Sequence, residues 1–188
     1  MRDALAALMP AEPRHPRPRQ EPGRPKGLNI LGTFAHNPSL TRAYNTFNGH
    51  VQFGTSLSAR QRELLVLRVA HVRDAPYEWD QHVIQGRDAG LSDEEIDDVR
   101  SRPDAPEWDP LEAAMLTAVD ELIADARISD ATWATLDADL EVEQLLDLVF
   151  TVGAYDALAM ALGSFGVQVE DDLRDAVGEL GARPDDKD

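Results

Sequence analysis

Apolar residues recur every three to four positions through most of this chain, which is the spacing of one face of an α-helix. Pro38 suits the first turn of a helix, and Leu40, Tyr44 and Phe47 then follow the helical spacing to an expected end near Gly54. No stretch alternates apolar and polar residues clearly enough to predict a β-strand. The pattern therefore predicts an all-α fold.

The stretch 57–99 is predicted to contain three consecutive helices. Ser58 and Ser92 each begin a capping box, in which a Gln or Glu follows three residues later. Between them, an Asp-Ala-Pro sequence that ends at Pro76 separates the first helix from the second. The first helix is apolar on most sides, which is typical of a helix deep inside a bundle.

The chain is predicted to have three parts. Residues 1–27 form a Pro/Arg-rich arm that is expected to be extended or disordered, or to pair its arginines with the acidic body of a neighbouring subunit. Residues 28–173 form the helical domain, and residues 174–188 form an acidic C-terminal tail. Within the domain, the apolar segment 142–167 is expected to lie centrally in the fold or at a subunit interface.

Composition excludes several classes of function. The net charge of −17 over 188 residues argues against nucleic-acid and anionic-membrane partners, which require clustered Lys and Arg. The absence of cysteine excludes disulfides, thiolate nucleophiles, thiolate metal sites and dithiol redox chemistry. With no apolar run of about 18 residues and no apolar segment suited to a signal peptide, the expected location is the cytoplasm.

Three ionisable residues, Glu63, Glu78 and His82, stand at positions where the helical pattern favours apolar side chains. A carboxylate inside such a helix must be hydrogen-bonded, ion-paired or protonated, because desolvating an isolated charge is costly. Burial would raise the pKa of Glu63 and suit it to general acid/base catalysis. The alternative is that Glu63 lies at the edge of its helix and pairs with an arginine of the same helix.

His82 follows Glu78 by one helical turn, so its imidazole can donate a charge-assisted hydrogen bond that fixes the tautomer and raises the basicity of the ring. A histidine held for structure alone has the same spacing, so both roles remain open. A metal site with Glu63, Glu78 and His82 as ligands is a third alternative, but this is a sparse ligand set for zinc or iron. We therefore expect no metal and no organic cofactor.

The segments LSARQRELLVLRVA, YEWDQHV and GLSDEEI, in this order, closely resemble the central helices of the carboxymuconolactone decarboxylase family, whose fold also includes the AhpD-like alkylhydroperoxidases. The resemblance implies an AhpD-like helical bundle. In the peroxidase branch, a Glu and a His work with two cysteines in a proton relay. Glu63 and His82 occupy the Glu and His positions, whereas Ala75 and Glu78 stand where the cysteines would be, which excludes thiol peroxidase activity.

The decarboxylase branch of the family implies a cofactor-free lyase that acts on a lactone acid. Loss of carbon dioxide from such a substrate requires a hydrogen-bond donor at the lactone oxygen and an acid that protonates carbon. His82 would serve as the proton donor, with Glu63 or Glu78 as its partner. Three further residues are expected to bind the substrate: Tyr77, Trp79 and Arg60.

Two hypotheses follow. The first is a cofactor-free acid/base enzyme resembling carboxymuconolactone decarboxylase, which acts on a small organic acid, lactone or enolisable carbonyl compound. The second is a non-catalytic oligomeric or ligand-binding protein that retains the fold. In a scaffold, Glu63 and His82 should saturate each other with no cavity beside them. The family also implies self-association through helical interfaces into trimers or hexamers. An anionic substrate would need a cation, and the nearby candidates are Arg60, Arg62, Arg68 and Arg87.

Overall fold

The computed structural model describes residues 1–16, 22–24, 27–101, 103 and 108–181. Within these residues the chain forms ten α-helices, one π-helical turn, one 3₁₀ turn and no β-strand. In chain order they are α1 (Arg2–Ala6), α2 (Leu28–Phe34), α3 (Pro38–Gly49), the π-helical turn His50–Gly54, α4 (Ala59–Val72), α5 (Pro76–Asp88), α6 (Asp93–Asp98), α7 (Pro110–Asp125), α8 (Asp130–Asp139), α9 (Val142–Phe165), α10 (Asp171–Val177) and the 3₁₀ turn Gly178–Leu180. The prediction of an all-α fold is confirmed.

The predicted helix from Pro38 consists of α3 and the π-helical turn that follows it. The Asn37 side chain accepts a hydrogen bond from the backbone N–H of Leu40, and Pro38 takes the first helical position, where no N–H is needed. The π-helical turn stops at Gly54, which is the predicted end. Such turns are frequent at functional sites because they rotate the following side chains relative to the α-helix.

Helix α4 lies at the centre of the fold. It begins with the predicted capping box of Ser58 and Gln61, in which each residue bonds the backbone N–H of the other. Residues 62–70 are all buried, because α4 lies between two apolar clusters. Leu65 belongs to the cluster formed mainly with α7, α8 and α9, whereas Leu67 belongs to the cluster formed mainly with α5, α6 and α10. Ionisable side chains on this part of α4 are therefore buried as well.

A tight turn folds α5 back along α4. Asp74 adopts a φ of +50°, a left-handed conformation that Asp tolerates better than most residues, and the Ala75 N–H donates to the Ala70 carbonyl at 2.9 Å. In an antiparallel pair of helices, side chains meet when they lie at comparable distances from the turn. His82 lies far enough along α5 to reach the level of Glu63 on α4.

Both chain ends pack against the helical body. Helix α1 lies on α3, where Ala4 is buried and its carbonyl accepts a hydrogen bond from Asn45 Nδ2 at 2.9 Å. At the other end, α10 continues past the predicted domain boundary at residue 173, and Val177 and Leu180 are buried. Apolar residues of the predicted tail thus pack against the helical body, and the domain boundary stays a prediction. Parts of the predicted arm and tail lie outside the described residues, namely 17–21, 25–26 and 182–188.

Two arginines of the predicted arm pair within their own chain. Arg14 Nη2 lies 2.7 Å from Glu143 Oε1, and Arg24 pairs with Asp88. The backbone N–H of Arg14 also donates to the Phe53 carbonyl at 2.6 Å. These two arginines therefore pair with acidic side chains of their own chain, and pairing of the arm with a neighbouring subunit stays a prediction.

Helix α9 is the one helix among the described residues that is long and apolar enough to cross a membrane, with a mean hydropathy of 1.7 over its most apolar window. Acidic residues, among them Asp147 and Asp156, interrupt its apolar sequence, so α9 is not an uninterrupted apolar run of the kind that the sequence was expected to lack. Half of that window is buried, however, where α9 packs against α4 and α7. This burial is typical of a core helix of a globular protein. Several apolar side chains nevertheless remain exposed on the outward face of α9, including Leu146, Phe150, Met160 and Phe165.

Candidate active site

Helices α2, α3, α5 and α9, together with the π-helical turn, enclose a cavity of about 250 Å³. Its polar lining consists of one carboxyl group, one imidazole, three phenols and five amides: Glu78, His82, Tyr44, Tyr77, Tyr155, Asn45, Asn48, Gln52, Gln81 and Gln85. Two of the three residues predicted to be catalytic, Glu78 and His82, therefore face the same space. The third, Glu63, lies behind His82 and contacts its ring.

Glu63 is a fully buried carboxylate with a partner on each oxygen. Its Oε1 accepts a hydrogen bond from Arg62 Nε at 2.9 Å, and its Oε2 accepts one from His82 Nδ1 at 2.6 Å. Burial acts to raise the pKa of Glu63, but the contacts with His82 and Arg62 outweigh burial and hold the pKa below its usual range. Glu63 is therefore ionised at neutral pH, and its arginine partner lies in the interior rather than at a helix edge.

His82 owes its tautomer to Glu63. An ionised carboxylate can only accept a hydrogen bond, so the Nδ1 that faces it must carry a proton. The edge of Tyr155 packs against the ring, with the two ring centroids 4.9 Å apart. The other ring nitrogen, Nε2, is thus the one available to a ligand in the cavity. The expectation that Glu78 accepts the hydrogen bond from His82 is wrong, because the α4–α5 hairpin brings an ionised carboxylate to Nδ1.

Glu78 is buried without a partner. It is 2% exposed, and neither of its carboxyl oxygens has a hydrogen-bond partner among the described residues. Burial, and then the nearby Asp156 carboxylate, raise the pKa of Glu78 well above its usual range. Its place in the first turn of α5 favours the anion by only about 0.3–1 kcal/mol, whereas an unpaired buried charge costs several times more. This environment therefore favours the neutral carboxylic acid form of Glu78.

The cavity also contains polar groups that the apolar pattern does not single out. The Tyr44 hydroxyl and Asn48 Oδ1 are buried and have no hydrogen-bond partner in the part of the chain that the structure describes. The Tyr155 hydroxyl accepts a hydrogen bond from Gln52 Nε2 at 3.2 Å. Burial raises the pKa of Tyr44 and of Tyr155, so both are neutral phenols at neutral pH.

A signal in the sequence marks these groups. Tyr44, Asn48 and Gln52 are spaced by four along α3 and the π-helical turn, and Gln81 and Gln85 repeat the same spacing on α5 beside Glu78 and His82. Polar residues at this spacing form a stripe along one face of a helix, as apolar residues do. Two polar stripes on helices with buried faces indicate a polar surface shared between them.

One of the three residues predicted to bind the substrate lines the cavity. Tyr77 does so, and its hydroxyl donates to Glu170 Oε1 at 3.1 Å. Trp79 instead lies in an apolar cluster, where its Nε1–H donates to the Leu180 carbonyl at 2.7 Å and the Arg100 guanidinium covers its ring. Positions two apart in an α-helix point in nearly opposite directions. The assignment of Trp79 to substrate binding is therefore corrected.

The arginines proposed for an anionic substrate do not line the cavity. Arg60 lies on the outer side of α4 and pairs with Glu95 and Glu112 at 2.6 and 2.7 Å. Its assignment to substrate binding is corrected, because its guanidinium is already bound by two carboxylates. The other three are paired as well: Arg62 with Glu63, Arg68 with Asp120, and Arg87 with Asp93.

A metal centre finds no support in the arrangement of side chains. Within the described ranges, no three His, Asp or Glu side chains are grouped as metal ligands. Both oxygens of Glu63 and the Nδ1 of His82 are already used in hydrogen bonds with protein groups. The geometry offers a carboxyl group and an imidazole one helical turn apart on α5, both on residues that line one small cavity.

The helices that form this site match a known family. The model of the carboxymuconolactone decarboxylase family matches residues 38–121, which run from α3 into α7 and include Glu63, Glu78 and His82. No curated protein matches the chain. The resemblance inferred from three sequence segments is therefore confirmed.

Solved structures of AhpD-like proteins share the fold. An AhpD-type protein of unknown function from Agrobacterium tumefaciens is 24% identical, with a TM-score of 0.69 over 73% of this chain and 95% of that chain. A peroxidase-related protein with an alkylhydroperoxidase AhpD core, from Ralstonia eutropha, is 18% identical, with a TM-score of 0.69 over 77% and 78% of the two chains. The apo debrominase Bmp8 is 12% identical, with a TM-score of 0.70 over 81% and 82%. At these identities the likeness establishes the AhpD-like fold.

Proposed function

We propose that this chain, whose residues 38–121 match the model of the carboxymuconolactone decarboxylase family, is a cofactor-free acid/base enzyme that uses Glu63, Glu78 and His82. The observation that carries the proposal is the pairing of a neutral carboxylic acid, Glu78, with an imidazole whose Nδ1 is held by a carboxylate. Environments that give two titratable groups opposite roles are typical of acid/base catalysis. Thiol chemistry is excluded because the chain contains no cysteine.

The proposed reaction moves a proton next to a carbonyl group of a small ketone or lactone. His82 Nε2 removes a proton from the carbon beside the carbonyl, and the electron pair of that C–H bond forms the double bond of an enol. The carbonyl oxygen takes up the proton of Glu78 as its π electrons move onto it. The imidazolium then returns its proton to carbon, and the enol hydroxyl returns a proton to Glu78.

Glu63 and Arg62 act as positioning residues in this scheme. Glu63 fixes the Nδ1–H tautomer and stabilises the imidazolium that forms when His82 takes a proton. Arg62 keeps Glu63 ionised, and it is itself held by the Gln52 carbonyl, which accepts from Arg62 Nη1 at 2.7 Å. The π-helical turn thus contributes a backbone contact to the site, in addition to the Gln52 side chain.

The alternative of a pure scaffold is less well supported. A scaffold is expected to have Glu63 and His82 saturated with no cavity beside them. The two residues do bind each other, at 2.6 Å, but the cavity adjoins His82 and the carboxyl group of Glu78 lacks a partner among the described residues. An unsatisfied buried carboxyl group destabilises a protein, so its presence at a cavity favours a binding or catalytic role.

Exchange of carbon-bound protons tests the proposal without knowledge of the physiological substrate. The protein is incubated in D₂O with γ-butyrolactone or cyclohexanone, and proton NMR follows the loss of the signal from the carbon beside the carbonyl. The wild type is expected to accelerate the exchange. Glu78→Gln keeps the shape of the side chain but cannot donate a proton, so it should lower the rate about 100-fold or more.

Trp79→Phe provides the matched control. It also changes a buried side chain of α5, but one outside the cavity, and the exchange rate should stay at the wild-type value. Exchange by Glu78→Gln at the wild-type rate would contradict the proposed role of Glu78. Binding of the probes without any exchange by the wild type would support the second hypothesis, a non-catalytic ligand-binding protein.

We also propose that the protein self-associates through the outward face of α9. Phe150 is 55% exposed, and its ring meets the exposed ring of Phe47 edge-on, with centroids 6.1 Å apart. An apolar groove of about 940 Å³ between α9 and helices α2 and α3 continues this face. Apolar surface of this kind is typical of contacts between subunits.

Light scattering should give the mass of a trimer or hexamer of the 20.7-kDa chain. Phe150→Glu should reduce this mass, because it places a charge on the apolar face. A monomeric wild type contradicts the proposal.

A further inference from the structure

We propose that the cavity selects a small uncharged carbonyl compound or lactone, and that it rejects analogues that carry a carboxylate. The inference rests on the proposed function for the choice of carbonyl chemistry. The selection by charge follows from the cavity itself. Selection against carboxylates excludes small organic acids from the substrate classes that the sequence allows, and leaves neutral lactones and enolisable carbonyl compounds.

The lining of the cavity is polar but mostly uncharged. Five amides and three phenols supply most of its polar groups, and no Lys or Arg is among the described residues that line it. Amides and phenols donate and accept hydrogen bonds without carrying a charge. A lining of this kind fits a ligand that forms several hydrogen bonds and needs no counter-ion.

Several unsatisfied polar atoms belong to residues that line the cavity. The Tyr44 hydroxyl, Asn48 Oδ1 and both carboxyl oxygens of Glu78 are buried and lack partners among the described residues. About nine in ten buried polar groups are satisfied in native proteins, so a cluster of exceptions around one cavity points to a ligand. Tyr44 and the protonated Glu78 can each donate to one lone pair of a carbonyl oxygen. Asn48 can accept from a hydroxyl or N–H group on the same ligand.

The charges around the cavity also disfavour an anionic ligand. Arg62 is ion-paired with Glu63, with Nη2 2.8 Å from Oε1, so this cation is already neutralised. A carboxylate placed beside His82 and Glu78 would therefore meet no Lys or Arg among the described lining residues, and a buried charge that lacks such a partner costs several kcal/mol. The net charge of −17 further disfavours the approach of anions from solution.

The volume limits the size of the ligand. Pockets that bind drug-sized molecules usually measure about 300–1,000 Å³, and this cavity measures about 250 Å³. A single five- or six-membered ring with one or two substituents is the size class that fits. γ-Butyrolactone and its carboxylate analogue, 5-oxotetrahydrofuran-2-carboxylate, are therefore suitable probes that differ in one charged group.

The experiment measures the dissociation constants of both probes by ligand-observed NMR titration at pH 7. The neutral lactone is expected to bind at least tenfold more tightly than its carboxylate analogue to the wild-type protein. Equal or tighter binding of the carboxylate overturns the proposal. Failure of the lactone to bind at all overturns it as well.

Gln85→Lys tests whether the missing cation causes the selection. Gln85 lines the cavity and is partly exposed, so a lysine there can be accommodated while it places a charge at the lining. This variant should bind the carboxylate at least tenfold more tightly than the wild type does. Ala134→Lys, on the exposed face of α8, adds the same charge away from the cavity and should leave both constants unchanged. An equal gain in the two variants would show that net charge, and not the lining, controls binding.

The outcome is separable from that of the proposed function. Charge selection is read from binding alone, whereas acid/base catalysis is read from proton exchange. A protein that binds the lactone selectively but does not exchange its protons retains this inference and loses the enzyme proposal. A protein that exchanges protons but binds both probes equally does the reverse.

Discussion

Glu63 and Glu78 lie on neighbouring helices and are buried to nearly the same degree, at 0% and 2% exposure, yet their pKa values move in opposite directions. Glu63 accepts hydrogen bonds from Arg62 and His82. Glu78 has no hydrogen-bond partner among the described residues. The first is therefore an anion that positions a histidine, and the second is a neutral acid that faces a cavity.

The comparison shows that burial does not determine the ionisation of a carboxyl group by itself. Loss of water acts on both side chains and favours the neutral form of each. At Glu63 the nearby positive and donor groups outweigh this effect, whereas at Glu78 only the unfavourable Asp156 charge is added. The unsatisfied carboxyl group is consequently the one that remains available to a ligand.

The largest expected effect comes from Glu63→Gln. This change removes the negative charge but leaves Arg62 buried, and breaking a buried ion pair in this way typically costs about 3–5 kcal/mol of stability. Urea unfolding followed by circular dichroism measures the loss. Glu112→Gln is the control, since its partner Arg60 is partly exposed and such pairs contribute up to about 1 kcal/mol. A loss at Glu63 no larger than that of the control would contradict the assigned ion pair.

Glu78→Gln should increase the free energy of unfolding, whereas Glu63→Gln decreases it. The effects of the two substitutions should also change in opposite directions with pH. Because the folded-state pKa of Glu78 is raised, the folded protein keeps a proton that the unfolded chain releases above about pH 4.3. The contribution of Glu78 to stability therefore falls as the pH rises from about 4.3 to the folded-state pKa. Glutamine has no such proton, and the stability of the variant relative to wild type should increase over this range.

The effect of Glu63→Gln on stability should change with pH in the opposite direction to the effect of Glu78→Gln. The folded-state pKa of Glu63 is lowered, so its stabilisation is present above the unfolded-state pKa and is lost as the pH falls through the folded-state value. The deficit of Glu63→Gln should therefore shrink towards acid pH. Unfolding free energies of the wild type and both variants, measured from about pH 2 to pH 8, test this contrast. The contrast is contradicted if the two stability differences change in the same direction with pH.

Arg62→Lys tests the geometry of the ion pair separately from its charge. Lysine keeps the positive charge but cannot contact Glu63 and the Gln52 carbonyl with the planar arrangement of a guanidinium. The loss of one charge-assisted hydrogen bond should cost about 1.5–3 kcal/mol, measured by urea unfolding. The same exchange at the more exposed Arg60 should cost less, and equal losses at the two positions would show that the buried geometry contributes nothing extra.

The smallest expected effects come from two tyrosines of the cavity. Tyr155→Phe removes the acceptor of the Gln52 hydrogen bond and should lower stability by about 1 kcal/mol, whereas Tyr44→Phe removes an unsatisfied hydroxyl and should leave stability unchanged or raise it. In a chain of this size, about 1 kcal/mol corresponds to roughly 2–4 °C in melting temperature. Calorimetry measures the melting temperatures of both variants. Shifts of the same sign and size would contradict the assignment of a hydrogen-bonded hydroxyl to Tyr155 and an unsatisfied one to Tyr44.

Much of the fold could be predicted because local interactions specify it. The capping boxes at Ser58 and Ser92, and Pro38 at the start of α3, are where the sequence places them. Each of these signals involves residues within four positions of each other. The burial of the tail at Leu180 was not predictable in this way, since it depends on an apolar cluster of distant helices that forms only in the folded chain.

The candidate site could be predicted in part. The selection of Glu78 and His82 agrees with their place at the cavity, because polar residues in an apolar pattern require a reason for burial. Trp79 was placed there wrongly because its proximity in sequence to Tyr77 says nothing about which side of α5 it occupies. The polar partners on α3 and the π-helical turn were overlooked, since a sequence does not show which helices face each other.

The sequence by itself determines that this protein is helical and that it performs no thiol chemistry, because helix signals act over one turn and cysteine is absent. Only the tertiary structure decides that His82 binds Glu63 rather than Glu78, since the hairpin of α4 and α5 joins residues 19 positions apart. It also decides the protonation of the two carboxyl groups. Their pKa values depend on the exclusion of water and on partners across helices, and neither exists until the helices pack.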